Sequence, residues 1–555
     1  TGTLEKWLKD DSKLKELVSA PILVSTIDHL ISATEGVRGG KQLPAMLRLL
    51  TSDLVLDEPD DFDIADLHAV CRLMNWAGML GTRVLLSSAT LPPGLIQALF
   101  AAYLAGRKMW QASCGINGRP VNICCAWFDE KDADATQIYD GPGFRDAHAK
   151  FVARRAVMLA EKERLHFGRV ASVSSASGAI QDVTESVAQT VHTQMLKLHQ
   201  AHRQRHESGK TVSLGLVRFA NINPLVAVTK ALIVIPSPED VCIHYCVYHS
   251  RHPLAVRSDI EKRLDRAFTR HNELDFWNNE DIADALHNRP ESHHLFVVLG
   301  TSVIEVGRDW DADWGIIEPS SMRSIIQFAG RIQRHRRNVP TSENLVILRS
   351  NIKSLQKKAP AFCKPGFETK EHLLNSHDIC ELIPIADYRT INALPRILSA
   401  NNANKLAELE HSRLSAELMS SKSKHVVAAQ WWRAPLSWNG WMQRQTPFRY
   451  SPLPEAVFFL HMDDEESEAR FYSRTGDNER KAQGNFRREE VRCASGVVCW
   501  GVMDYQHVLL DLAEKQSCEI ASVGEKFAEV RVPVSEEDAV DDWRYHPWLG
   551  VFRNM

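Results

Sequence analysis

Between about Pro21 and Ser350, short apolar runs rich in β-branched residues alternate with segments of helical period. Runs at Ile22–Ser25, Asp53–Leu56 and Arg83–Ser87 read as strands, followed by Val212–Phe219, Leu232–Ile235, Cys242–Tyr248, Leu295–Leu299, Gly315–Ile317 and Leu345–Leu348. Their apolar positions are consecutive rather than alternating, the pattern of parallel strands covered by helices on both faces. Over Asp259–Arg270, Ile260, Leu264 and Phe268 recur every four residues and predict an amphipathic helix. Such alternation predicts an α/β fold with doubly wound parallel sheets, and its length predicts two of them. The expected division is a first α/β domain over 1–165, a second over 166–350, a connector over 351–425 and a small C-terminal accessory domain over 426–555. The connector carries a helix over Asn402–Met419, with Leu406, Leu409, Leu414 and Leu418 on one side.

Composition narrows the class. The chain has 555 residues, and 66 basic against 70 acidic side chains give a net charge of −4, which excludes a wholly cationic nucleic-acid coat but not a local basic groove. No apolar run approaches the ~20 residues of a membrane-spanning helix, so no membrane partner is expected. The 11 cysteines include no CxxC pair and predict reduced, mostly buried thiols in a cytoplasmic protein.

The chemistry-bearing residues gather where strands end. Asp53-Leu-Val-Leu-Asp57-Glu58-Pro59-Asp60 is an apolar strand delivering carboxylates to its C-terminal end, where open parallel sheets bind ligands. In nucleoside triphosphate hydrolysis one such carboxylate holds Mg²⁺ and its neighbour orients the attacking water, roles that fit Asp57 and Glu58. Taken alone, the run reads equally as an acidic surface turn. Other strands end in Ser88-Ala89-Thr90, in Thr26 and in Thr301, the last followed by Glu305, Gly307 and Asp309. Gln327-Phe-Ala-Gly330-Arg331-Ile-Gln-Arg334 is expected on a helix, with Arg331 and Arg334 on one face and able to reach a developing phosphate charge.

In this order the set resembles superfamily 2 helicases, and specifically the CRISPR-associated helicase-nucleases of type I interference systems. The acidic box, the Ser88-Ala89-Thr90 triplet, the Thr301–Asp309 stretch and the Gln327–Arg334 stretch are similar to that family's motifs II, III, V and VI, and His249-Ser250-Arg251 to its second-domain signature. The form with Asp57-Glu58-Pro59-Asp60 looks most like subtype I-F, whose members carry a fused integration-factor domain upstream.

The resemblance implies two RecA-like domains, the first incomplete at its N-terminus, and an ATP-driven single-stranded DNA translocase. It implies Asp57 for Mg²⁺, Glu58 for water activation and Arg331 and Arg334 as arginine fingers. Glu305, Gly307, Asp309 and Gln327 would order the nucleotide side, while Thr26, Ser88, Thr90, His249, Arg251 and Thr301 would face DNA. Asp60 stands where many relatives carry His, which leaves its link to the Ser88–Thr90 loop open. Expected partners are an RNA-guided surveillance complex, an adaptation (spacer integration) protein and phage-encoded inhibitors.

A phosphate loop and an HD nuclease using divalent transition metals are expected outside this chain, which alone would be inactive. Gly36–Gln42 and Ser208-Gly209-Lys210-Thr211 have the wrong spacing or context for the loop. His377-Asp378 lacks the further ligands of a nuclease centre, and His244, His249 and His252 lack a completing carboxylate or thiol. The aromatic cluster Trp431, Trp432, Trp438, Trp441 and Tyr450 reads as core more than as base-stacking surface, and Asp463–Glu468 as a solvated loop. The rival readings are another superfamily 2 DNA or RNA helicase, or a non-catalytic scaffold.

Overall fold

The computed structural model describes residues 12–34, 39–398, 403–419, 429–433, 446–449, 454–474, 480–482, 486–533 and 543–555. The chain divides into two compact units: residues 1–162 with 393–402 and 407–450, and residues 163–392 with 403–406 and 451–555. The segments expected as connector and as C-terminal domain are thus each shared out between the units.

In the first unit, strands β1 (Leu54–Asp57) and β2 (Val84–Ser87) pair in parallel, with Asp57 opposite Ser87. Helices Leu67–Leu80 and Pro93–Cys114 cross closely because two glycines let their backbones touch. A Cβ on Gly106 would lie 2.1 Å from the Asn75 carbonyl oxygen, and one on Gly78 2.4 Å from that of Tyr103. An antiparallel pair, β3 (Ile123–Phe128) and β4 (Ala133–Ile138), follows and packs with helix Gly141–Glu161 through Phe100 and Phe144, whose rings stack 4.0 Å apart.

Two expectations fail in this unit. Ile22–Ser25 is not a strand: Ile22 and Val24 are 83% and 91% exposed, and a strand without a pairing neighbour cannot satisfy its backbone. β1 and β2 are covered on one face only among the described residues, with Val55 and Leu85 more than half exposed.

The second unit is built on a parallel sheet. Its strands are β5 (Gly168–Ala171), the short β6 (Gln204–Arg205), β7 (Thr211–Arg218), β8 (Val241–Tyr248), β9 (His293–Gly300), β10 (Trp314–Ile317) and β11 (Leu345–Leu348). The order runs β8-β9-β7-β10-β11-β5, with β6 antiparallel beside β7, and a strand from near the chain's end, Val497–Cys499, parallel to β8 at the outer edge. β7 is buried at every position, its polar Thr211, Ser213 and Arg218 included. Gly215 lets Trp314 of β10 lie flat on β7, since a Cβ there would sit 2.1 Å from the indole.

Leu232–Ile235 is not a strand but the end of helix Ile222–Leu232, which buries Leu225, Val226 and Leu232 against the sheet. Three cysteines are buried, Cys71, Cys242 and Cys246, while Cys114, Cys124, Cys380 and Cys493 are exposed, so the thiols are less enclosed than expected. No helix among the described residues is long and apolar enough to cross a membrane.

Asp313, at the foot of β10, pins this unit together. Its carboxylate accepts from Arg270 Nη1 at 2.9 Å, Arg336 Nη1 at 2.7 Å, Gln204 Nε2 at 2.9 Å and the Leu214 amide at 2.8 Å. Burial pushes its pKa up, but the Arg270 and Arg336 guanidiniums more than offset this and hold it at about 2. Asp313→Ala leaves two buried guanidiniums without that partner and is expected to cost about 3–5 kcal/mol, read from urea unfolding. Because the folded pKa lies below the unfolded value, the contribution of Asp313 is present above about pH 4 and is lost as pH falls through its folded pKa of about 2.

Candidate active site

In the first unit β1 and β2 bring the two loop starts together. β1 ends on Asp57, which is exposed, and Glu58 turns the chain at φ 45°, ψ 54°, left-handed backbone that costs a non-glycine residue about 1–3 kcal/mol. The Glu58 amide donates to the Ser87 carbonyl at 2.7 Å, fixing that turn against β2. The Glu58 carboxyl is pushed up to about 7 by burial and by Asp60, Asp61 and Asp57, with the Ser88 hydroxyl acting in the other direction.

Asp60 is 2% exposed and accepts from both hydroxyls of the next loop, Ser88 Oγ at 2.6 Å and Thr90 Oγ1 at 2.7 Å. The Thr90 amide in turn donates to Ser88 Oγ at 3.0 Å. Arg396 Nη1 lies 3.5 Å from Asp60, and Arg396 Nε 3.5 Å from Glu410, both inside the unit. The aspartate at the position of the expected His therefore holds the Ser88–Thr90 loop directly. Arg396 and Glu410 carried no motif that sequence reasoning could use. Thr26 is exposed and precedes helix Asp28–Ile31, its carbonyl accepting from His29.

In the second unit the candidate residues line the C-terminal ends of β7, β8 and β9. Thr301 is buried directly after β9. Glu305 is buried and ion-paired with Arg218, the last residue of β7, and accepts from Ser324 Oγ at 2.8 Å. Arg218 Nη2 and Ser324 Oγ lie 2.6 Å apart. Arg218 and Ser324 were missed; a lone arginine closing an apolar strand was their only signal. Gly307 turns at φ 67° with open space around it.

Arg331 and Arg334 are not on a helix. Helix Met322–Ala329 ends at the Gly330 cap, and Gln333 takes φ 52°, because Ile332 bridges to Ala312 and Arg336 is drawn to Asp311 and Asp313. Arg331 Nε donates to the Glu305 carbonyl at 2.8 Å and its Nη1 to that of Arg308. Arg334 Nε donates to Asp309 at 2.7 Å and is 43% exposed. Asp309 also lies 3.0 Å from His335 and 3.4 Å from His271, and the His335 hydrogen bond, then Arg334, hold its carboxyl at about 2 against burial. Gln327 is half-buried on the helix before them.

His249 is fully buried, its Nε2 2.8 Å from the Leu549 carbonyl, a packing position rather than a surface one. Arg251 donates to Asn223 at 3.0 Å and lies over the Trp543 ring. The remaining sequence candidates resolve simply. Ser208–Thr211 is the turn between β6 and β7, and Lys210 donates to the Arg289 carbonyl. His377 binds the Glu368 carboxylate at 2.9 Å and Asp378 pairs with Arg349. Trp431 stacks on Trp76; Trp438, Trp441 and Tyr450 lie outside the described residues. Asp463, Asp464, Glu465, Glu466 and Glu468 are exposed.

The comparisons with known proteins agree with this layout. A family model described as CRISPR-associated nuclease/helicase Cas3, C-terminal, matches residues 211–337, which hold β7 through the Arg331–Arg337 segment. A second, described as Cas3 subtype I-F/YPEST-like, C-terminal domain, matches residues 455–553. The crystal structure of T. fusca Cas3-ADP has the same fold over 99% of this chain and 55% of its own, at TM-score 0.51 and 16% identity. T. fusca Cas3-AMPPNP matches at TM-score 0.50 and 14% identity, with the same coverage of both chains. The fold is thus that of the Cas3 class.

Within it, the chain is 49% identical over 99% of its length to the CRISPR-associated nuclease/helicase Cas3 subtype I-F/YPEST of Pectobacterium atrosepticum, and 41% identical, again over 99%, to that of Pseudomonas aeruginosa. It is a homologue of the Cas3 subtype I-F/YPEST helicase-nucleases, and it spans about half the length, 51%, of these curated relatives.

Asp60→Ala removes the acceptor of both loop hydroxyls. Amide hydrogen exchange at Ser88–Thr90 is expected to rise at least about tenfold, and less in Asp60→Asn, which keeps one acceptor oxygen.

Proposed function

We propose that this chain is the motor part of a Cas3-type helicase-nuclease, moving along single-stranded DNA at the expense of ATP. The observation that carries the reading is the β1 terminus, where an exposed Asp57 stands beside a Glu58 poised near pH 7, with Asp60 tying that turn to the Ser88–Thr90 loop. The donor set suits Mg²⁺, a hard cation that takes carboxylate oxygens and keeps several waters. Bound with ATP, Mg²⁺ would neutralise phosphate charge, and Asp57 is the residue we assign to hold it.

Glu58 takes the proton of the attacking water. A carboxyl raised by burial and like charge is a stronger base than an ordinary surface glutamate. Arg334, half-exposed and held by Asp309, is the guanidinium we assign to developing phosphate charge. Arg331 holds the Glu305–Arg308 loop in shape through two carbonyls, so its role is positioning. Thr301, Ser88 and Thr90 are assigned to the DNA side, where movement of their loops with nucleotide state would grip and release the strand. Destruction of foreign DNA after recruitment by an RNA-guided surveillance complex, joining to an adaptation protein and capture by phage-encoded inhibitors are parts of the same proposal, as is nuclease chemistry on divalent transition metals outside this chain.

The test is ATP turnover by the full-length protein with and without single-stranded DNA. Glu58→Gln is expected to abolish the DNA-stimulated rate, and Arg334→Ala to lower it about 10³-fold. Turnover indifferent to DNA and to Glu58→Gln would replace the motor reading with that of a scaffold.

A further inference from the structure

β8 and β9 run parallel, with Cys242 opposite His294 and His244 two residues along β8 on the same face. The alternate residues Ile243 and Tyr245, with Leu295, point the other way into the main core. The sheet therefore places a thiol and two imidazoles on one patch, and their ligand atoms all lie within 4.8 Å of one another. Cys242, His244 and His294 are 0%, 5% and 0% exposed. His244 Nε2 and His294 Nδ1 are 3.2 Å apart. Nearby, Glu291 Oε2 is buried with no hydrogen-bond partner, while the Glu291 backbone hydrogen-bonds the His294 ring. Three enclosed ligand atoms this close together form a set that one cation can join.

We propose that Cys242, His244 and His294 form a buried transition-metal site, suited to Zn²⁺, that staples β8 to β9. One sulfur and two imidazole nitrogens are a borderline-soft set matching zinc, with one tetrahedral position left for water or carboxylate. Glu291 lies close enough for its charge to act on both Cys242 and His294, and its backbone hydrogen-bonds the His294 ring, the kind of support a ligating imidazole takes from its surroundings.

Arg289 and Lys210 oppose a cation here, and Glu291 and Asp281 offset them. The site differs from the His244, His249 and His252 grouping weighed in the sequence, since His249 and His252 pair with each other, rings 4.6 Å apart.

Cobalt substitution tests this on the full-length protein. Co²⁺ ligated by a thiolate gives an intense near-ultraviolet charge-transfer band that carboxylate and imidazole sites lack. Co²⁺ added to the metal-stripped protein until every site is filled, the nuclease centre included, is expected to give that band, Zn²⁺ to bleach it, and Cys242→Ser to lose it while retaining the circular dichroism of the parent. Cys493→Ser is expected to keep it, which sets aside the nearby Cys493–Cys499 pair, sulfurs 3.3 Å apart. Absence of the band in the parent protein overturns the proposal whatever the variants do, and so does its persistence in Cys242→Ser. Should Cys242→Ser fail to fold, His294→Gln takes its place, with an expected tenfold or greater loss of Co²⁺ affinity; unchanged affinity overturns the site.

Discussion

The charge at Asp313 governs the second unit. A fully enclosed carboxylate is tolerable only because Arg270 and Arg336 neutralise it and the Leu214 amide and Gln204 occupy its remaining lone pairs. Arg336 is drawn inward by this demand and by Asp311, and the chain between Gly330 and Arg337 follows it. That is why the arginine segment leaves its helix early, and why Arg331 ends on two carbonyls while Arg334 faces Asp309 at the surface. Of the arginines between Arg331 and Arg337, Arg336 serves in the folded chain as an internal counter-charge.

Asp60 plays a comparable part in the first unit. Where a histidine would offer one ring nitrogen to the neighbouring loop, a carboxylate can accept from two hydroxyls at once, and here it does. The Ser88–Thr90 loop is thereby held to the same short turn that strains Glu58. Arg396 places positive charge 3.5 Å from the enclosed carboxylate. The departure from the usual acidic box is thus a closed arrangement of its own.

Much of this was legible beforehand, for physical reasons. Strands buried on both faces leave mostly apolar runs, and β7, β8, β9 and β11 were found to within a residue or two of their ends. The order of motifs placed the chemistry at strand ends, because a parallel sheet leaves its functional edge there. The misses have equally definite causes. Leu232–Ile235 and Ile22–Ser25 are as apolar as true strands, and only pairing partners distinguish them. β5 is short and only half-apolar, and the antiparallel β3–β4 pair has a hydrophilic second strand. Spacing of three placed Arg331 and Arg334 on one helical face, but spacing cannot report a buried aspartate that ends the helix. Cys242 and His294 are fifty-two positions apart, and their meeting depends on strand register alone.

The Val497–Cys499 strand closes the outer edge of the main sheet beside β8, more than 250 residues earlier in the chain. On the ribosome, β8 emerges long before this partner exists. Until then it presents an open edge and the apolar surface that Trp500 and Trp548 later cover. Synthesis at about 5–20 residues per second leaves that edge bare for some tens of seconds. The nascent chain therefore carries this open edge through the whole interval between the emergence of the two strands.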